Sequence, residues 1–335
     1  MKALVTGAAG LLGSHLVDLL VARDDQVRAL VGPADQLGDR DEVVDVHVGD
    51  IRDRAVLEAA VDDVDYVFHC AARTGPWGPE REYETTNVGA VETLVRVASA
   101  AGVRRIVHVS SITVHGNDVR GAADEDAPLR GEPNPYSRSK VAGERLLARL
   151  IAEDAAPVTI VRPGWVYGPR DVASFARFTT MIHDGRMVMV GPGTNHVPLI
   201  YVTDVAHGMI LAAETANAAG RTYVLVNDES VTQREYLGAI AREMDVAPPT
   251  RRIPYRLGVA LGAALEAAAR GARRTQPPPL MRYGIQMLGG ENRFTIARAR
   301  RELGFSPQVD LAEGVRRSIE WYRSAYAEMS PTRSR

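Results

Sequence analysis

Over the first 170 positions, short apolar runs rich in β-branched residues alternate with helix-length stretches whose apolar residues recur three and four apart. The runs are Ala3–Thr6, Gln26–Val31, Val43–Val48, Tyr66–Cys70, Arg105–Ser110 and Val158–Arg162. Runs this continuously apolar describe strands covered on both faces, and their alternation with helices predicts an α/β architecture with a doubly wound parallel sheet. After Gly168 the alternation weakens. Glycine and proline punctuate 185–198, and 247–254 and 275–279 read as linkers. Two later runs, 187–190 and 222–226, are expected to rejoin the first sheet. The reading divides the chain into a unit over 1–168, completed by those two strands, and a smaller interleaved lobe over 169–330. Residues 330–335 read as a frayed tail.

The first strand runs into Thr6-Gly7-Ala8-Ala9-Gly10-Leu11-Leu12-Gly13 and then into an apolar-periodic helix. Glycines at a strand-to-helix junction let backbone approach a pyrophosphate, and the third lets the helix close on the sheet, so the first unit reads as a Rossmann-type dinucleotide-binding domain. Gly7, Ala9, Gly10, Leu11, Leu12 and Gly13 are the candidate contacts. Asp50, followed by Ile51, ends the third strand; its carboxylate suits either an adenine amino group or a helix N-cap.

Tyr136-Ser137-Arg138-Ser139-Lys140 carries the second chemical signal. Lys140 and Lys2 are the only lysines in a chain that otherwise uses arginine. Positions i and i+4 share a helix face, and an ammonium, unlike a guanidinium, is compact enough to sit beside a phenol and lower its pKa.

Composition narrows the classes. The 335 residues are 45% hydrophobic and 24% charged, as in an ordinary globular protein, and a net charge of -2 gives no reason to expect nucleic acid. The single cysteine, Cys70, excludes an internal disulfide and fits a reducing cytoplasm; no zinc-type cluster is present, so no metal is expected. No signal peptide precedes the first strand. Leu257 to Leu265 is too short to span a bilayer, although an interfacial role stays open.

In order along the chain, Thr6 to Gly13, Asp50, Ala71-Ala72, Asn87, Ser110-Ser111, Tyr136-x-x-x-Lys140, Arg162-Pro163-Gly164-Trp165-Val166-Tyr167-Gly168-Pro169 and Tyr201-Val202-Thr203-Asp204 resemble the extended short-chain dehydrogenase/reductase family. The resemblance implies that Ser111 donates to the substrate oxygen, Tyr136 is the general acid/base, and Lys140 binds the nicotinamide ribose and holds the phenol's pKa down. Asn87 would support the site, or else cap the following helix. Ala71, Ala72 and Pro163 would line the cofactor. Bringing a phenol from ~10 to neutrality needs about three pH units, roughly 4 kcal/mol. The family also implies a homodimer through helices near 88–101 and 137–152.

Within that family, sugar dehydratases carry an acidic pair after the catalytic serine or threonine, where this chain has Ile112-Thr113. Sugar-nucleotide enzymes grip a diphosphate with Asn and Arg where this chain has Trp165 and Val197. The tail 299–322 looks like the 3β-hydroxysteroid dehydrogenase-like branch. The implied activity is hydride transfer between a nicotinamide and a secondary alcohol or ketone of a moderately hydrophobic small molecule, with Trp77, Thr113 and Trp165 as candidate substrate contacts. A sugar epimerase with tightly held NAD is the alternative, and a cofactor-sensing regulator the more distant one. The cofactor is NAD or NADP; Gly32 replaces the arginine of the common Leu-Val-Arg pattern, which favours NAD.

Overall fold

The structure is a computed structural model and describes residues 1–119 and 121–326; the expected tail at 330–335 lies outside them. Seven parallel strands form the central sheet: β1 (Lys2–Thr6), β2 (Gln26–Val31), β3 (Asp45–Val48), β4 (Tyr66–His69), β5 (Arg105–Val109), β6 (Val158–Pro163) and β7 (Thr222–Leu225). Their order is β7-β6-β5-β4-β1-β2-β3. The chain therefore winds outward from β1 to β3 and then crosses back to place β4 on the other side of β1. The crevice where the order reverses opens above the carboxyl ends of β1 and β4, the place where such sheets bind ligands.

Helices cover both faces. α1 (Leu11–Val21) packs against a helix at Val202–Glu214 on one side, and α2 (Arg54–Val61), α3 (Ala90–Ala100) and α4 (Pro135–Asp154) cover the other. Leu4, Val5, Val67, Phe68 and Val107 lie between these layers and are fully buried, which is why the strands read as unbroken apolar runs.

One expected strand is placed elsewhere. Thr222–Leu225 joins the sheet at the edge beside β6, but Met189–Val190 pairs with Arg252–Ile253 in a separate two-stranded ribbon. Gly191, at φ +69°, and Pro192 stop it after two residues, and Met189 and Val190 pack with Tyr236, Leu237 and Leu288 in a second apolar core. Two further helices of that lobe, α5 (Tyr255–Gly271) and α6 (Arg282–Gly289), pack on each other. Among the described residues no helix is long and apolar enough to cross a membrane.

Two glycines are fixed by close approach. Gly7 sits at φ +64° with its α-carbon so near Ala71 that a Cβ would fall 2.8 Å from that residue's backbone, and a Cβ on Gly13 would lie 2.2 Å from the Gly7 carbonyl oxygen. Gly13→Ala is therefore expected to cost about 1–3 kcal/mol. Gly238, inside the helix Gln233–Glu243 with open space around it, should gain roughly 0.5–1 kcal/mol as alanine. Denaturant unfolding of both variants measures the contrast; equal effects would refute it.

Candidate active site

The crevice floor is the glycine turn. Gly10 stands at the start of α1 with no side-chain cap, so the N–H groups of the first turn, Leu11 and Leu12 among them, have no side chain to satisfy them. An uncapped helix start beside a backbone that tolerates no Cβ fits a pyrophosphate, and Ala71 closes its side, with Ala71 N–H on Thr6 Oγ1 at 3.3 Å.

At the adenine end, the N-cap of α2 is Asp53, whose carboxylate accepts Ala55 N–H at 2.9 Å. Asp50 is thereby released from the capping role. It accepts Arg52 N–H at 2.9 Å and pairs with the Arg52 guanidinium, which holds its carboxyl below the usual range. Ile51 follows it, half-buried. Beyond β2, Asp35 folds back so that its carboxylate accepts Gly32 N–H at 3.0 Å. Arg28 points away, donating to Asp45 at 2.7 Å and to the carbonyls of Ala60 and Asp62. With an acid at the strand end and that arginine engaged elsewhere, the loop suits ribose hydroxyls better than a 2′-phosphate.

The residues expected to handle the proton meet between β5 and α4. Asn134 caps α4 by accepting Ser137 N–H, Pro135 takes the first helical position, and Tyr136 and Lys140 follow on one face. Lys140 is buried at 5% exposure, its Nζ donating to Val109 O at 2.7 Å and lying 5.9 Å from the Tyr136 ring centre. One donor of three is used, leaving two for a ribose. Burial pushes this ammonium down to about 8, with Glu144 opposing. It pushes the Tyr136 phenol up to about 12, against the neighbouring Ser111 hydroxyl. Desolvation is the dominant influence on this phenol, and it opposes the depression expected from Lys140.

Asn87 is not a helix cap. It lies in a π-helical turn, Thr85–Gly89, that continues directly into α3, and its amide donates to Arg73 O and Ser139 Oγ at 2.9 Å while its oxygen accepts Arg73 N–H at 2.8 Å. That makes it a positioning residue, tying the loop after β4 to α4. Thr113 is buried; Ser137 Oγ donates to its carbonyl at 2.8 Å, while its own hydroxyl makes no hydrogen bond among the described residues. Trp77, on the loop after β4, carries the Arg270 guanidinium over its ring at 5.4 Å. Trp165 packs edge-on against Phe178 and Tyr236 and donates Nε1–H to Ser174 at 3.3 Å, so its indole belongs largely to the lobe's aromatic core. Pro163 is buried at the end of β6.

Three contributors were not singled out as site residues from the sequence. Burial raises the phenol of Tyr283 on α6, and the Tyr136 phenol is near enough to add to that rise. Tyr83 donates to the carbonyls of Gly75 and Trp77 and so shapes the loop after β4. Behind the site, Arg162 pairs with Glu144 at 2.6 Å and donates to Glu125 O at 2.8 Å; Ser110 also donates to Glu144. Only the Glu144 spacing, one turn past Lys140, hints at this network. No group of three metal-binding side chains occurs among the described residues.

Fold and site together define an extended short-chain dehydrogenase/reductase. Residues 3–225 match the NAD dependent epimerase/dehydratase family, and the chain belongs to it. It is 31% identical to a 2-alkyl-3-oxoalkanoate reductase of Stenotrophomonas maltophilia, over 95% of this chain and 98% of that one. It is 30% identical to a 3 beta-hydroxysteroid dehydrogenase/Delta 5-->4-isomerase of Mycobacterium tuberculosis, over 98% and 92%. The structure superposes with a TM-score of 0.78 on DesIV, a dTDP-glucose 4,6-dehydratase of Streptomyces venezuelae with NAD bound, at 27% identity and 98% coverage of both chains.

The buried ammonium has a pH signature. Folded Lys140 loses its proton near 8 and a free lysine near 10.5, so between those values the unfolded chain holds more proton and burial becomes less costly as pH rises. The stability difference between wild type and Lys140→Met should therefore shift in favour of wild type from pH 8 to 10, by up to ~1.4 kcal/mol per pH unit. Urea titrations at several pH values measure it; a difference independent of pH would refute it.

Proposed function

We propose that this protein is an NAD-dependent secondary alcohol dehydrogenase or ketoreductase acting on a moderately hydrophobic substrate, steroid-like or of the secondary-metabolite kind. The observation that carries the reading is the pairing of an intact Ser111, Tyr136 and Lys140 set with an apolar neighbourhood where a diphosphate grip would stand. Val197 is buried with its N–H on Val231 O, and Trp165 lies among Phe178 and Tyr236. Such a wall favours an apolar group over a charged one. The names of the two relatives, a reductase of alkyl-oxoalkanoates and a hydroxysteroid dehydrogenase, point the same way.

Bound in the crevice, the nicotinamide supplies the hydride acceptor or donor. In ketone reduction Tyr136 gives its proton to the carbonyl oxygen as negative charge develops there, and Ser111 donates a hydrogen bond to the same oxygen. Lys140 offers its two remaining N–H groups to the ribose and, as a cation, stabilises the phenolate left behind. Oxidation of the alcohol runs these steps backwards. Asn87 keeps the loop carrying Trp77 in place.

Tyr136→Phe is expected to lower kcat by about 10²–10⁴-fold while leaving NAD affinity near wild type, read by stopped-flow absorbance at 340 nm and calorimetry. Retention of near-wild-type turnover would sink the assignment. The purified protein should also exchange NAD freely and show net NADH consumption with a ketone; tightly retained NAD without net redox change would instead mark an epimerase.

The reading includes a homodimer through α3 and α4, on the strength of the family resemblance. On α4, Ala142, Arg145, Ala148 and Arg149 face outward, where a second copy could meet them, and Arg138 faces outward while paired with Glu80. Multi-angle light scattering at micromolar concentration should give twice the chain mass; a single-chain mass would remove this element.

A further inference from the structure

Between Arg256 and Arg270, every exposed position on α5 is leucine or alanine: Leu257, Ala260, Leu261, Ala264, Ala267 and Ala268. This inverts the usual arrangement, in which a helix packed by one face turns polar residues to water on the other. The packed face of α5 is well defined. Gly258 meets Ile285, Gly262 comes against the backbone of Arg282, and Glu266, 4% exposed, accepts Arg282 N–H at 2.7 Å. The helix thus buries its one acid and exposes two of its three leucines. Leu257 and Leu261, one turn apart, are 57% and 44% exposed, two of only five large hydrophobics so exposed among the described residues.

Charge singles out the same segment. Residues 251–282 hold seven arginines, at 251, 252, 256, 270, 273, 274 and 282, against Glu266 alone, a formal +6 within a chain of net -2. All but Arg282 are exposed. Arg270 and Arg282 approach Glu266 at 3.8 and 4.0 Å; the other five form no ion pair among the described residues. Unpaired arginines therefore stand at both ends of an apolar stripe.

We propose that this face of α5 docks on an anionic lipid bilayer, with Leu257 and Leu261 entering the acyl boundary and the arginines lying among the headgroups. An exposed apolar stripe flanked by arginine has the composition of an interfacial helix. A second copy of the same face would bring arginines onto arginines with no exposed acid to meet them, which disfavours self-association there. The stripe is a convex helix surface of leucine and small alanines, suited to a fluid phase more than to a shaped partner. Because Arg270 lies over Trp77, docking brings the loop after β4 toward the lipid, where an apolar ketone or alcohol would be dissolved. The docking itself does not depend on the proposed reaction.

Cosedimentation of the full chain with vesicles tests it, using phosphatidylcholine alone and phosphatidylcholine mixed with phosphatidylglycerol. Wild type should bind the phosphatidylglycerol vesicles, less so as salt rises. Leu257→Ser with Leu261→Ser should weaken that binding at least ~10-fold. Arg256→Glu with Arg273→Glu and Arg274→Glu should abolish it, since each basic side chain near an anionic surface is worth on the order of fivefold. Unchanged thermal melts and unchanged turnover of a water-soluble ketone would show that both variants are intact. The proposal is overturned if wild type ignores both vesicles, if the serine variant binds as well as wild type, or if the serine substitutions merely dissociate a larger assembly that never bound lipid.

Discussion

Burying the Lys140 ammonium is the constraint around which the carboxyl ends of the central strands are organised. A charge at 5% exposure is costly unless its environment compensates, and here one hydrogen bond goes to the Val109 carbonyl and one carboxylate, Glu144, lies a turn away. The surrounding groups are kept neutral in turn. His69 and His108 stack at 5.3 Å; burial and the ammonium lower both, His69 to about 3, and the Cys70 thiol is pushed up to about 12 by burial. At neutral pH neither imidazole adds a second cation beside Lys140.

Glu144 could not play this part if it were free to move. It is fixed by Arg162 and by Ser110, the neighbours of Pro163 and Ser111 respectively, so the same buried pair braces β5, α4 and β6 where the reacting residues emerge. Removing one partner of such a pair typically costs 3–5 kcal/mol, because the other charge is stranded. The site is thereby coupled to the integrity of the sheet beneath it. On the opposite wall, the Gly7–Ala71 contact performs the corresponding task without charge, by leaving room for nothing larger than hydrogen.

These local rules decide what could be read from sequence. The strands of the first half were legible because burial on both faces demands apolar runs, and the observed limits differ from those expected by a residue or two. Tyr136 and Lys140 were legible because one helix places them at i and i+4. Met187–Val190 misled because a short apolar run fits a central sheet and a two-residue ribbon equally well, and only tertiary packing chooses. Asn87 read equally as a site support and as a cap, because asparagine before an apolar helix often is one; the π-helical turn that carries the helix through it leaves no local trace. Tyr283 was invisible because its proximity to Tyr136 is created entirely by the packing of α6.

The same division bears on specificity. Ser111, Tyr136 and Lys140 come from two adjacent elements of the central sheet and its helix cover, whereas Trp77, Trp165, Tyr236 and Tyr283 come from four separate segments, three of them beyond β6. Trp165 is held by Phe178, Tyr236 and Ser174 together, none of which forms a hydrogen bond or ion pair with Lys140. A lobe assembled this way can alter the shape of its apolar wall by small repacking steps while the proton-handling residues stay fixed. On the proposed reading, that separation gives a physical account of how one scaffold serves relatives named as reductases, dehydrogenases and dehydratases: the sheet and its helix cover hold Ser111, Tyr136 and Lys140, and the lobe builds the proposed substrate wall.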